Sequence, residues 1–414
     1  MIISRKSYNI YDVYIFLLIA SLVAGNLFGA FQIPRVLAIL FLIPCTRCYP
    51  QCKFLISDMK NFALLFLLYS FLSCLWAPTA TSESLLETGY NVVHMILFFE
   101  IIIFSRPAKN AINAIFAGFL VAFLISAVIA FWELTTDNHL YTSKIKEAKA
   151  KNLGYEIYMR YFAAVTFYNF NMYTTFLCFT IPFIFYGITN KNYKLIWRIV
   201  SVIAAVSSVI LVLFNASRGG LLAIIIVTFV YYQMTFFKRR SMSFYAILFV
   251  FLLIFILYYY GSDILNTLMV RGSVQGAIEN EGRLSIWHNA YKVAEQYLFL
   301  GCGAGGINNA MEQFAQGGIT IPHNLFMELF SQYGLFFLCV FVVFVVKILR
   351  RSFVIKDNYR KITLYQSMLA FPIICIINSG YLAAPVLWAF MASLYVFANY
   401  ERIKSFHKNI RRAA

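Results

Sequence analysis

AINAIFAGFLVAFLISAVIAFW, residues 111–132, contains no Lys, Arg, Asp or Glu. Wound as an α-helix at about 1.5 Å per residue it is about 33 Å long, close to the thickness of a bilayer's hydrocarbon core. Comparable apolar runs recur on both sides of it. They predict about twelve spans, at roughly 10–29, 33–45, 61–77, 90–104, 111–132, 161–187, 195–214, 219–237, 243–261, 323–346, 361–378 and 380–399. The expected fold class is therefore all-α, a polytopic transmembrane helical bundle. Composition agrees. Of 414 residues, 61% are hydrophobic and only 12% charged. A water-soluble globule of this size cannot cover so much apolar surface, so a soluble enzyme, a disordered chain and a disulfide scaffold are excluded.

The net charge is +17. In a soluble chain that excess would suggest nucleic acid; here it follows topology, and no nucleic acid is implied. Of the 34 Lys and Arg, 24 fall on one set of alternate connections, including Lys238-Arg-Arg240 and the Lys347–Lys361 region. By the positive-inside rule those connections and both termini face the cytoplasm. The long connections 133–160 and 262–322 then face outward and form a cap of short helices on a single integral domain, 1–414. The first apolar run is long enough to remain as a span, without signal-peptide cleavage.

Outward-facing cations are scarce, which makes two arginines informative. Arg218 stands in Asn215-Ala-Ser-Arg-Gly-Gly220, a tight break between two spans. It either anchors the helix end at the interface or meets an anion, with a helix N-terminus beside it. Arg283 opens Gly282-Arg-Leu-Ser-Ile-Trp287. The apolar spacing of Ile286, Ala290, Val293, Ala294 and Tyr297 predicts a helix on the membrane surface, with Trp287 at the headgroup level. His323 follows Pro322 at the start of a span, on the same face as both arginines. Its imidazole can take a proton from an alcohol near neutral pH or serve as an interfacial hydrogen-bonding group.

Other patterns carry less. Gly301-Cys-Gly-Ala-Gly-Gly306 matches G-x-G-x-x-G but has no strand before it, and reads as a flexible turn. Cys45, Cys48 and Cys52 have metal-ligand spacing in an expected cytoplasmic loop, without a second pair. Glu100 and His94 sit on one span, where an acid is expected to face the bundle interior. No D-x-D or D-D pair occurs, so no metal or other cofactor is implied. A reaction on a diphosphate would then rely on arginine.

Ser217-Arg-Gly-Gly220, Gly282-Arg-x-x-x-Trp287, Leu300-Gly-x-Gly303 and His323-Asn-x9-Gly334, in that order, resemble the bacterial O-antigen ligase / O-antigen polymerase superfamily. The resemblance is most specific over 161–345. It extends weakly to Leu75-Trp-Ala-Pro78 and Trp132–His139. Phe337 and Tyr168-Asn-Phe-Asn171 depart from the family pattern without touching the arginines or the histidine.

The resemblance implies a GT-C-type, metal-independent, inverting glycosyltransferase of the bacterial inner membrane. It would pass a glycan from undecaprenyl diphosphate to an acceptor hydroxyl at the periplasmic face. The ligase, with lipid A-core as acceptor, is preferred over a repeat-unit polymerase and a protein O-oligosaccharyltransferase. By position, Arg218 and Arg283 match the diphosphate-binding arginines and His323 the essential histidine. Arg160, at the mouth of the sixth span, is a further candidate for phosphate or sugar. The non-enzyme alternative, a polysaccharide transporter, would gather its charges at mid-membrane.

Overall fold

The structure is a computed structural model, and residues 8–145, 162–236, 283–315 and 319–413 are described. It is all-helical among these residues, in the order α1 (Ile10–Ala20), α2 (Ile33–Leu40), α3 (Leu42–Ser73), α4 (Thr81–Phe104), α5 (Ala111–Thr136), α6 (Phe170–Thr189), α7 (Leu195–Phe214), α8 (Arg218–Phe236), α9 (283–296), α10 (Ile307–Ala315), α11 (Leu325–Ser352), α12 (Asn358–Ile374) and α13 (Pro385–Ala413). The chain is a polytopic helical membrane protein. Six of the described helices are long and apolar enough to cross a membrane: α4, α5, α6, α7, α8 over Arg218–Thr235, and α11. A seventh span results if Ile33–Leu40 and Leu42–Pro50, bent by 50°, count as one.

The expected twelve spans are thus not reproduced. The candidate at 243–261 lies outside the described residues. Those at 33–45 and 61–77 are bridged by the continuous helix α3, because a helix can carry Arg47, Lys53 and Lys60 as readily as a loop can. The three cysteines therefore lie on a helix and are buried there, not in a cytoplasmic loop. The first expected span breaks into α1 and a 3₁₀ turn, Ser21–Ala24.

Helix ends meet in two groups. At one end Asn9 caps α1 in a reciprocal capping box with Asp12. Asp12 also accepts the amides of Lys109 (3.2 Å) and Asn110 (2.7 Å), tying α1 to the α4–α5 turn. The Lys404 ammonium donates to the carbonyls of Ser105, Arg106 and Ala108. Arg360 pairs with Asp357 and Glu401, and Arg351 donates to Asn399. Three of the connections that the charge pattern assigned to one side, around 105–110, 351–361 and 399–404, thus meet at one end, while Lys238-Arg-Arg240 lies outside the described residues.

The opposite end is where the chain leaves helix most often. In α11 the helix breaks at Gly334, with φ +82° and ψ 175°. The turn 299–303 fills the break. Leu335 N–H donates to the Phe299 carbonyl (2.9 Å), Cys302 N–H to Ser331 (2.8 Å) and Gly303 N–H to Gln332 (2.9 Å). A Cβ on Gly334 would overlap the carbonyls of Phe299 and Leu300, and one on Gly301 would sit 2.5 Å from the Gly334 nitrogen. Trp76 Nε1 donates to the Gly301 carbonyl (3.0 Å), while Ser73 and Ser84 bond the backbone of Ala304. The glycine-rich segment is therefore a buried, fixed wedge instead of a flexible turn.

Both glycines have positive φ and no room for a side chain, so Gly334→Ala should destabilise the protein by at least about 2 kcal/mol. Thermal unfolding in detergent will show this as a lowered midpoint. An unchanged midpoint would mean that the wedge is dispensable.

Candidate functional site

Arg218 is positioned by a break that buried polar groups hold open. Asn215, fully buried, accepts from the Ala163 amide (2.9 Å) and donates to the Ala163 carbonyl (3.0 Å). Ala216 takes φ +48°, and Ser217 Oγ accepts the Gly220 amide (3.3 Å). The two glycines let α8 press close. A Cβ on Gly220 would come within 2.5 Å of Thr174 in α6, and one on Gly219 within 3.0 Å of Ile377. Arg218 is left exposed on the first residue of α8, where backbone N–H groups and the helix dipole favour an anion.

Arg283 begins α9 and donates to the Ile376 carbonyl (3.3 Å). The apolar spacing expected of this helix is present: Ile286, Ala290 and Val293 are buried. They pack on Cys302, Ile307, Ala310 and Met311, so the apolar face is covered by the cap instead of lying on lipid. The Trp287 indole donates to the Pro322 carbonyl (2.9 Å) and so fixes the residue before His323.

His323 adopts φ +47°, a left-handed conformation uncommon for a residue with a Cβ. The next residue explains how this is held. The Asn324 side chain caps α11 by accepting from Phe326 (2.9 Å) and Met327 (3.4 Å), and the Leu325 amide donates to the Cys375 carbonyl (2.9 Å). Three consecutive residues, 375–377, thus receive the segments carrying His323, Arg283 and Arg218. Arg160 lies outside the described residues.

Behind this turn is an acid that no sequence motif singles out. Glu328 is buried, one turn into α11, and its carboxylate accepts the amides of Gly380 (3.1 Å), Tyr381 (3.2 Å) and Leu382 (3.3 Å). From the other side His94 Nδ1 meets the Leu382 carbonyl (3.1 Å) and Arg35 donates to Ala383 (2.7 Å). Arg35 Nε also donates to His94 Nε2 (3.2 Å), so the imidazole carries its proton on Nδ1. The polar partner of His94 is Arg35, which periodicity could not reveal because 59 residues separate them. Glu100 is fully buried, as expected of an acid on a span. Glu133 plays a part like that of Glu328. It accepts the amides of Ala164 (2.7 Å) and Val165 (2.8 Å), and His139 stands 3.5 Å away.

Burial first, and then the nearby Arg283 charge, lower the His323 pKa from 6.5 to about 4. The imidazole is therefore neutral at physiological pH and able to accept a proton. The segments bearing the two arginines and the neutral imidazole thus meet at a single turn, 375–377. In Arg283→Gln the His323 titration should move upward from about 4 while staying below 6.5, because burial, the larger cause, remains. Histidine-labelled protein followed by NMR across pH 3–8 measures this. An unmoved titration would take Arg283 out of the imidazole's electrostatic surroundings.

No curated protein matches the chain. Residues 203–342, from α7 to the middle of α11, match the family model described as O-antigen ligase. That segment contains Arg218, Arg283 and His323, so the resemblance carried by the motifs at 217–334 is borne out. The chain is a multi-pass membrane protein whose 203–342 segment is similar to the O-antigen ligase family model.

Proposed function

We propose that the protein transfers a glycan from undecaprenyl diphosphate to an acceptor hydroxyl at the outer face of the bacterial inner membrane, as an O-antigen ligase with lipid A-core as acceptor. The observation that carries this is the convergence of the segments bearing Arg218, Arg283 and His323 on residues 375–377, within the O-antigen ligase match. The convergence lies at the end of the bundle opposite the basic connections, which on the positive-inside rule is the outer face.

The donor's diphosphate lies against the N-terminus of α8 between the two guanidiniums. As the bond from the anomeric carbon to the diphosphate oxygen breaks, charge grows on that oxygen. Preorganised donors aimed at such charge contribute about 3–4 kcal/mol each. The acceptor oxygen forms the new bond to the anomeric carbon from the opposite face, which inverts the configuration. His323 takes the acceptor's proton, a contribution of roughly 10²–10⁴ in rate. A bound diphosphate would also offset the Arg283 charge, making the imidazole a stronger base when the donor is in place. A groove of about 280 Å³, lined by Leu65, Leu68, Leu72, Phe336 and Phe337 among others, is almost wholly hydrocarbon and suits part of a lipid tail.

His323→Ala should abolish transfer while membrane insertion and yield persist; a gel shift of the glycan measures it, and full transfer would sink the assignment. Arg218→Lys should lose at least about tenfold in rate, because an ammonium cannot reproduce the planar two-pronged contact with phosphate. A knockout glycan profile fixes the acceptor class. Accumulated lipid-linked polymer supports the ligase, and a core bearing a single repeat unit overturns it in favour of a polymerase.

A further inference from the structure

A cavity of about 320 Å³ opens beside the 380–384 loop, on the side away from Glu328. Its wall is part polar and part aromatic: Asn26, Gln32, Arg35, Tyr90 and Tyr168, with Gly380 and Ala384 from the loop. Gln32 is 7% exposed, and its amide donates to Asn26 Oδ1 (2.6 Å). That leaves Gln32 Oε1, an acceptor, and Asn26 Nδ2, a donor, buried without hydrogen-bond partners. Buried amide atoms in a native protein are seldom left this way. The cavity shares Phe167, Met172, Gly380 and Ala384 with a smaller one that reaches Asn378 and Ser379. Asn378 is 4% exposed, and its Oδ1 is also without a partner. It lies two residues beyond Ile376, whose carbonyl Arg283 holds.

Arg35 limits what the cavity can take. Its Nε donates to His94, Nη1 to the Ala30 carbonyl (3.0 Å) and Nη2 to Ala383, and its plane covers the Tyr90 ring at 3.7 Å. The guanidinium is thus built into the wall by main-chain carbonyls, and no lysine is among the described residues that line the cavity. Among the described lining residues an anionic group would meet this engaged cation alone, and the nearby Lys144 ammonium is turned to the Tyr168 ring, 5.2 Å from its centroid. An acyl chain would leave three amide atoms unsatisfied. A neutral, hydroxyl-rich ligand with apolar C–H faces offers donors and acceptors to Asn26, Gln32 and Asn378, and a ring surface to Tyr168.

We infer that this cavity is a sugar-binding subsite, holding a glycosyl unit next to the Arg283–His323 turn. The inference rests on the transferase reading for its role, but binding itself does not. The sugar can belong to the acceptor or to the donor's glycan, and kinetics separate the two.

The full chain in nanodiscs is tested with two fluorescently labelled oligosaccharide pools. One is released by mild acid from lipopolysaccharide core and the other from the lipid-linked donor. Gln32→Leu should weaken binding of one pool at least tenfold. It should raise the KM of the matching substrate by a similar factor, with kcat within twofold. A raised acceptor KM assigns the acceptor; a raised donor KM assigns the donor's glycan. Should Gln32→Leu fold poorly, Ala30→Cys on the cavity wall gives an independent readout: maleimide modification at position 30 should slow at least threefold when the binding pool is added. Neither pool binding the wild-type protein, or a folded Gln32→Leu with wild-type affinity, or modification at 30 unaffected by sugar, overturns the subsite. Wild-type protein that binds a pool but performs no transfer overturns the transferase reading and leaves the subsite standing.

Discussion

A backbone that leaves helix inside or beside a membrane has no water to satisfy its N–H and C=O groups, and each unpaired group costs several kcal/mol. That constraint organises the end of the bundle where the candidate site lies. At residues 163–165 the partners are Glu133 and Asn215. At 299–304 they are the broken turn of α11, Trp76 and two serines. At 380–383 they are Glu328, His94 and Arg35. Side chains that look like chemistry in a sequence are thus spent on main chain. Glu328 accepts three amides, and Arg35 donates to two carbonyls and an imidazole.

The same constraint sorts chemical residues from structural ones. Arg218 is exposed at a helix start, and Arg283 makes one long contact to a carbonyl. Arg35, by contrast, is buried and has all three of its guanidinium nitrogens bonded within the scaffold. His323 is held by its neighbours, through the Pro322 carbonyl, the Asn324 cap and the Leu325 amide, which leaves the imidazole to respond to burial and to Arg283. A group whose backbone is fixed by others and whose protonation depends on an adjacent charge is well suited to proton transfer.

Much of this was legible in the sequence, and the rest was not for definite reasons. Arg218, Arg283 and His323 stood out because cations and histidines are costly at span ends and these are few. The helix at 283–296 followed from the spacing of Ile286, Ala290 and Val293, but what covers that face depends on Cys302 and Met311, which no periodicity announces. Span counting failed where helix and span differ: hydropathy marks two apolar runs on either side of residues 46–60, while α3 runs unbroken from the end of the first into the second. The glycine pattern at 301–306 misled in the other direction. A lack of side chains was read as looseness, whereas Gly301, Gly303 and Gly334 are small so that two stretches of main chain can touch. The hub at 375–384 was invisible because its partners arrive from residues 35, 94, 283 and 328.

The wedge at Gly334 has a mechanical side. Three main-chain bonds lock the first half of α11 to the 299–303 turn, and Trp76 and Ser73 lock that turn to the tip of α3. The first half of α11, the 299–304 turn and the end of α3 are therefore tied to one another, and the joint at Gly334 is already filled. The break in α11 is thus a place where main chain has been substituted for side chain, and it leaves no room there for any group larger than hydrogen.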